Sequence, residues 1–225
     1  MFFTQAPLEL KLDYLLVRTP KPYGGDVSTG DCIVVQAINR NMIPDAELYK
    51  VARLYRSLHD GVPALQQLRR VFGFRANIPN CDLARACQKL LTRFPKLIAF
   101  CQWEVAEAID AMDKEFYTTN KNRVIGLWPQ DEGSTRFSTY DNALQVKTLM
   151  GERGLKKPIL LAHEDHMIRC WFLYRKLLKV DPIIPVYKVS SYDSQGVQPY
   201  ARDRKTFRQY ERFLARPHHI ITGLV

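Results

Sequence analysis

Short apolar runs recur along this chain, and segments of helical length separate them. A run of four to eight apolar, β-branched residues is typical of a strand buried on both faces. Strands joined by helical connections pair in parallel, with right-handed crossovers. Five runs fit this description, at residues 31–38, 97–101, 123–128, 158–162 and 183–188. Pro185 interrupts the last run and predicts an edge strand, because proline cannot donate to a ladder.

Apolar residues at helical spacing predict the elements between and after these runs. Helices are expected near residues 48–58, 64–72, 83–91, 103–112, 139–152, 165–178 and 201–214. Asp82 is predicted to cap the third of them. The alternation predicts one α/β domain over residues 1–225. We expect a Rossmann-like three-layer fold in which helices flank a mostly parallel sheet of about five strands.

The chain has a formal net charge of +10, which favours anionic partners. Charge alone does not choose among phosphorylated small molecules, acidic membrane surfaces and nucleic acid, although we do not favour direct nucleic-acid binding. No apolar stretch is long enough to span a membrane, and no secretory signal opens the chain. We therefore expect a soluble, cytoplasmic protein, with export by a signal-independent route left open.

Glycine-rich phosphate loops are missing from the sequence. It contains no Gly-x-Gly-x-x-Gly fingerprint, no Walker A motif and no Gly-x-Ser-x-Gly elbow. The absence of these motifs disfavours ordinary dinucleotide binding, P-loop phosphotransfer and hydrolysis by a serine triad.

Polar side chains crowd the loop after the fourth predicted strand, which reads Ala162-His-Glu-Asp-His-Met-Ile-Arg169. Ligands of parallel sheets bind at the carboxyl ends of the strands, so this loop is the leading candidate site. His166 and Arg169 are three residues apart and share a helical face, where they suit a phosphate or carboxylate. If the chain is an enzyme, His166 is the best general acid or base. His163 is a further candidate ligand contact.

Two other interpretations of this loop stay open. Asp165 could cap the following helix, with the rest of the loop solvated. His163, Asp165 and His166 could instead hold a divalent metal ion, although no His-Glu-x-x-His pattern supports a metal site.

A second polar segment precedes the helix predicted at 139–152. Ser138 followed by Asp141 fits a capping box. A helix N-terminus beside a strand-end cleft also binds anions, so Ser138, Thr139 and Asn142 are candidate ligand contacts. In the helix after the second strand, Glu107 either complements the helix dipole or orders a ligand hydroxyl.

The last predicted helix carries arginines at intervals of four: Arg204, Arg208, Arg212 and Arg216. Phe207, Tyr210 and Leu214 mark a different face, which is predicted to be buried. A basic stripe is usually a solvated face. The alternative is a non-catalytic interaction protein that uses the stripe to bind an acidic protein, a membrane surface or nucleic acid.

The segment 134–170 resembles the YdcF/SanA-like bacterial domain family, whose function is unknown. Three stretches carry the resemblance: Thr139-Tyr-Asp-Asn-Ala143 opening a helix, the strand Ile159–Ala162, and His166-Met-Ile-Arg169 opening the next helix. Glu107-Ala108 and the region of Glu211 to Ala215 match the family more loosely. Gln36-Ala37 and Gln102-Trp103 stand where the family usually has glycines, so the resemblance is to a divergent member.

The resemblance implies a Rossmann-like fold, and S-adenosylmethionine is a ligand associated with soluble relatives. Together with the residues above, it leads to one main hypothesis. The chain is a small-molecule-binding α/β protein whose ligand has an anionic or nucleotide-like part, and whether it is an enzyme is left open.

Overall fold

The computed structural model describes residues 25–38, 76–129, 137–187, 189–194 and 198–216. In these ranges the strands are β1 (Cys32–Gln36), β2 (Ile98–Gln102), β3 (Val124–Leu127) and β4 (Pro158–Ala162). The helices are α1 (Ile78–Arg93), α2 (Trp103–Met112), α3 (Lys114–Thr119), α4 (Thr139–Glu152), α5 (Glu164–Leu178) and α6 (Arg204–Tyr210). Two 3-10 turns lie at Val27–Thr29 and Pro199–Ala201, and a π-helical turn, Glu211–Ala215, continues α6.

The four strands form one parallel sheet in the order β3-β2-β1-β4. The chain moves from β1 to β2 on one side of the sheet and returns to β4 on the other, so strand order reverses between β1 and β4. Right-handed crossovers in opposite directions place α1 and α2 on one face and α4 and α5 on the other. Helix α1 packs against α2, and α4 packs against α5. The predicted Rossmann-like, three-layer α/β fold is confirmed.

The two strands beside this reversal are completely buried, as their unbroken apolar runs predict. Every residue of β1 and β4 is buried. The predicted fifth strand is reduced to a single bridge between Ile183 and Ile159, so the sheet has four strands. Pro185 follows this bridge and cannot extend the ladder.

Most predicted helices in the described ranges are confirmed, including 103–112 and 139–152, while α5 begins one residue earlier than predicted. Helix α1, however, begins at Ile78, and the predicted cap at Asp82 is wrong. Asn77 caps the helix by accepting a hydrogen bond from the Asn80 backbone, and Pro79 occupies the first turn. Asp82 lies inside α1. The helices predicted at 48–58 and 64–72 lie outside the described residues.

The last predicted helix changes its winding. After Tyr210 the chain enters the π-helical turn, in which the Arg216 amide donates to the Glu211 carbonyl five residues earlier. The wider turn rotates the following side chains relative to an α-helix. Glu211 and Ala215 therefore point inward, and Leu214 is 63% exposed. The prediction that Leu214 is buried was wrong.

No helix within the ranges given above has both the length and the apolar character needed to cross a lipid bilayer.

Candidate functional site

The leading candidate loop lies where strand order reverses. Gln36, the last residue of β1, is in register with Ala162, the last residue of β4. Helix α5 begins two residues later, at Glu164. Its first turns therefore rise from the crevice in which open α/β sheets bind ligands.

Four buried side chains form a charged cluster above this edge: His166, Arg169, Glu211 and Arg216. None is more than 8% exposed. The Arg169 Nε atom donates to both carboxylate oxygens of Glu211, at 3.0 and 3.1 Å, and its Nη2 atom lies 2.8 Å from Oε1. Arg216 Nε donates to Glu211 Oε2 at 3.3 Å. Two arginines thus share one carboxylate.

The same contacts fix the protonation of His166. Arg169 has no acceptor atom, so its Nη2 donates to His166 Nδ1, 2.9 Å away. Glu211 Oε1 also lies 3.3 Å from Nδ1, but the shorter contact with Arg169 makes that nitrogen an acceptor. In the neutral ring the proton then lies on Nε2. Burial, reinforced by the Arg169 charge, lowers the pKa of His166 to about 4. His166 is therefore a neutral imidazole at physiological pH, with Nε2 as its hydrogen-bond donor.

Glu211 stays ionised within this cluster. Burial alone would raise the pKa of its carboxyl group, but the positive charge of Arg169, aided by Arg216, outweighs burial and lowers the pKa to about 2. The sequence identified His166 and Arg169 as candidates, yet Glu211 entered only through a loose resemblance.

The His166 Nε2 atom faces α4. It lies 3.5 Å from the Thr139 hydroxyl, which is part-buried in the first turn of that helix. The structure thus brings the two predicted polar segments together. Ser138 is exposed, and its hydroxyl and Asp141 form the predicted capping box, with the Asp141 amide donating to Ser138 Oγ at 3.2 Å.

A network of buried amides lies beneath this contact, at the ends of β1 and β2. Gln102 Oε1 accepts from the Gln36 side chain, from the Ala37 amide at 3.2 Å and from Asn142 Nδ2 at 3.4 Å. The Tyr174 hydroxyl is 3.0 Å from Asn142 Oδ1 and 3.4 Å from Gln36 Oε1. The two glutamines, Gln36 and Gln102, are at the centre of this network. This network was not predicted, although glutamines at the ends of two successive buried strands could have indicated it.

His163 occupies the N-cap position of α5. Its Nδ1 atom accepts from the Asp165 amide at 3.2 Å, and its Nε2 atom donates to the Ser191 carbonyl at 3.1 Å. Burial lowers the pKa of His163 to about 4, despite the nearby Asp165 carboxylate. Both ring nitrogens therefore hold the local fold together.

The interpretation of Asp165 as the helix cap was wrong, because His163 fills that position. The Asp165 carboxylate is fully buried and accepts from Arg208 Nε at 2.8 Å and from the Tyr192 hydroxyl at 2.7 Å. Arg204 Nη2 lies 2.6 Å from Glu164 Oε1. These ion pairs attach α6 to the start of α5.

Helix α6 also covers the site with an apolar side chain, that of Phe207. The Phe207 ring meets the rings of His163 and His166 edge-on, with centroids 6.1 Å apart in both cases. Phe207 packs with Ile38, just beyond β1, and with Ala201 in a second buried apolar cluster. Phe207 and its apolar neighbours exclude water from the two imidazoles, and this exclusion explains the low pKa values of both histidines.

The remaining predicted contact, Glu107, is fully buried on α2. Because α2 packs against α1 and α3, Glu107 belongs to the opposite face of the sheet from α4 and α5. A metal site receives no support: among the described residues, no three His, Cys, Asp or Glu side chains are grouped to hold an ion.

Comparisons of the chain with protein-family models, with curated proteins and with solved structures find no match. The site must therefore be interpreted from its own geometry. That geometry consists of a neutral imidazole held by a buried ion pair, a hydroxyl opposite it and an amide network below.

Proposed function

We propose that this chain binds a small molecule with an anionic or nucleotide-like part at the carboxyl edge of the sheet, between the first turns of α4 and α5. The observation that carries the proposal is the contact between His166 Nε2 and Thr139 Oγ1, 3.5 Å apart at the point where strand order reverses. A pair at this distance is loosely bonded, and a ligand oxygen can replace either partner.

The charge of the cluster supports an anionic ligand. Arg169 donates to Nδ1 of His166, so its positive charge lies behind the ring and makes Nε2–H a stronger donor to an anion. This effect is larger in a dry site, where charges interact more strongly. Arg169, however, is engaged with Glu211 and His166, so we assign it to positioning His166 rather than to direct ligand contact.

If the chain is an enzyme, His166 would act as a neutral hydrogen-bond donor, because Nε2 carries the only ring proton and its loss would leave an imidazolate. The Nε2–H group could stabilise a developing negative charge on a ligand oxygen. The amide network would orient uncharged parts of the ligand, while His163 maintains the helix start. The proposal includes membership of the YdcF/SanA-like family as a divergent form, which the resemblance of residues 134–170 to that family supports.

A thermal-shift screen tests the proposal. The probes are AMP, ATP, S-adenosylmethionine, glucose 6-phosphate and inorganic phosphate, and a ligand of the folded state raises the melting temperature. We expect at least one of them to stabilise the wild type and to lose that effect in His166→Asn and Thr139→Val. Arg153→Ala, which removes an exposed positive charge at the far end of α4, is the matched control and should respond like the wild type. A panel without any response, or a response that His166→Asn retains, would overturn the proposal.

A further inference from the structure

The outer side of α6 combines positive charge with exposed apolar side chains. A groove of about 450 Å³ runs along it, lined by Arg204, Lys205, Arg208, Gln209, Arg212 and Phe213. Its four cationic residues form what we call the basic face. At one end, Phe213 is 66% exposed and its neighbour Leu214 is 63% exposed, and this pair is called the apolar tip.

Two of the four cations of the basic face form ion pairs within the described residues, and the other two form none there. Arg204 and Arg208 bond to Glu164 and Asp165, which hold their guanidinium groups in place while leaving 48% and 38% of the side chains exposed. Lys205 and Arg212 form no ion pair with any carboxylate in the described part of the chain. The three nearby carboxylates, Glu164, Asp165 and Asp203, are fewer than the four cations of the basic face, so positive charge remains in excess.

The apolar tip lies within the π-helical turn, where Phe213 and Leu214 are both exposed. Exposing two adjacent large apolar side chains costs free energy unless a partner covers them. A helix with cations on its polar side and Phe or Leu beside them is typical of segments that lie at a membrane surface.

We infer that α6 and its π-helical turn dock on an anionic lipid bilayer. The basic face would bind the headgroup phosphates and carboxylates, and Phe213 and Leu214 would insert at the boundary between headgroups and acyl chains. This inference goes beyond the proposed small-molecule site, which lies on the inner side of α6, and does not depend on it.

Two other anionic partners fit these observations less well. Single-stranded nucleic acid would use the cations and stack a base on Phe213, but it offers nothing to the aliphatic Leu214. A stable protein interface buries about 800 Å² on each partner, which is far more than two side chains and a groove supply. A bilayer needs only a small insertion, because its surface charge provides additional attraction.

Vesicle co-sedimentation of the full chain tests the inference. The probes are vesicles of phosphatidylcholine alone and of phosphatidylcholine mixed with phosphatidylserine. We expect binding only to the mixed vesicles, weakening as salt is raised. Lys205→Glu/Arg212→Glu should weaken binding by at least ~tenfold, since each of the two lost cations contributes roughly fivefold near the surface. Phe213→Ser/Leu214→Ser should remove the binding that survives in high salt.

Matched controls separate a docking face from general positive charge. Lys89→Glu/Lys147→Glu makes the same charge change on exposed positions of α1 and α4, and Val186→Ser removes an apolar side chain that is 88% exposed. Both controls should bind like the wild type. The inference is overturned if the wild type ignores the mixed vesicles, if the lysine control loses as much binding as the α6 variant, or if the same residues bind single-stranded RNA or polyglutamate while vesicles are ignored. Thermal melts of each variant check that the fold is intact.

Discussion

His166 owes its chemistry to partners at very different distances along the chain. Its pairing with Arg169 could be predicted, because residues three apart on a helix share a face. Glu211 could not, since it lies 42 residues beyond Arg169 in sequence and reaches it only through the packing of α6 on α5. Without that carboxylate the sequence suggested that Arg169 binds a ligand, whereas the structure engages its guanidinium internally.

The low pKa of His166 predicts a specific loss of stability in acid. The unfolded chain takes up a proton near pH 6.5 while the folded chain waits until about pH 4, so stability falls as pH drops through this window. Each such histidine adds about one proton to the slope, or about 1.4 kcal/mol per pH unit. Urea denaturation across the window should show a shallower slope in His166→Gln. A slope identical to that of the wild type would mean that the folded protein already binds this proton.

Removing the charge of Glu211 should strongly destabilise the folded protein. Glu211→Gln leaves Arg169 buried without the carboxylate that neutralises it, and we expect the free energy of unfolding to drop by about 3–5 kcal/mol. Glu152→Gln, at an exposed position on α4, should change it by less than ~0.5 kcal/mol. Arg169→Met/Glu211→Leu/Arg216→Leu should recover much of the loss, because it replaces all three charged groups with apolar ones. Denaturant melts measure all three, and a Glu211→Gln protein as stable as the wild type would contradict the buried-pair description.

At the scale of elements, strands were predicted better than helix ends. An unbroken apolar run such as β4 has few alternatives to a fully buried strand, because every one of its residues needs a buried position. The start of α1 was misplaced, since Asp82 and Asn77 are both good caps and only Pro79 favours the earlier one. The π-helical turn has no sequence signature in this chain, so the outward rotation of Leu214 could not be predicted.

The turn before β1 packs closely on β4, and two glycines give a paired test of this packing. A Cβ atom at Gly30 would lie 2.5 Å from the Ile159 side chain, whereas one at Gly151, within α4, meets nothing within 4 Å. Gly30→Ala should therefore destabilise the fold by about 1–3 kcal/mol through overpacking. Gly151→Ala should stabilise it by up to ~1 kcal/mol, because alanine is the better helix former. Thermal melts that rank the two variants in the opposite order would refute this packing.

For the whole molecule, composition and alternation were enough to predict the layers, but not the order of the strands. Strand order depends on which apolar faces fit together, as at Ile33 beside Ile159, and no local pattern encodes that. The crevice at the strand-order reversal became identifiable only once the order was known.

The strand order also predicts where the molecule is most resistant to opening. β1 has neighbours on both sides and is fully buried, whereas β3 has one neighbour and two partly exposed residues. Hydrogen exchange followed by mass spectrometry should show the slowest exchange in Cys32–Gln36 and faster exchange in Val124–Leu127. Equal protection of the two strands would indicate that the sheet opens only as a unit.

The position of Glu211 has a further consequence during synthesis. All four strands and Arg169 leave the ribosome before the carboxylate that neutralises this arginine. At roughly 5–20 residues per second, the 42 intervening residues take about 2–8 s to appear. During that interval the nascent domain can assemble its sheet, but His166 and Arg169 lack their anchor. The candidate site is therefore completed only after the scaffold that carries it has been synthesised.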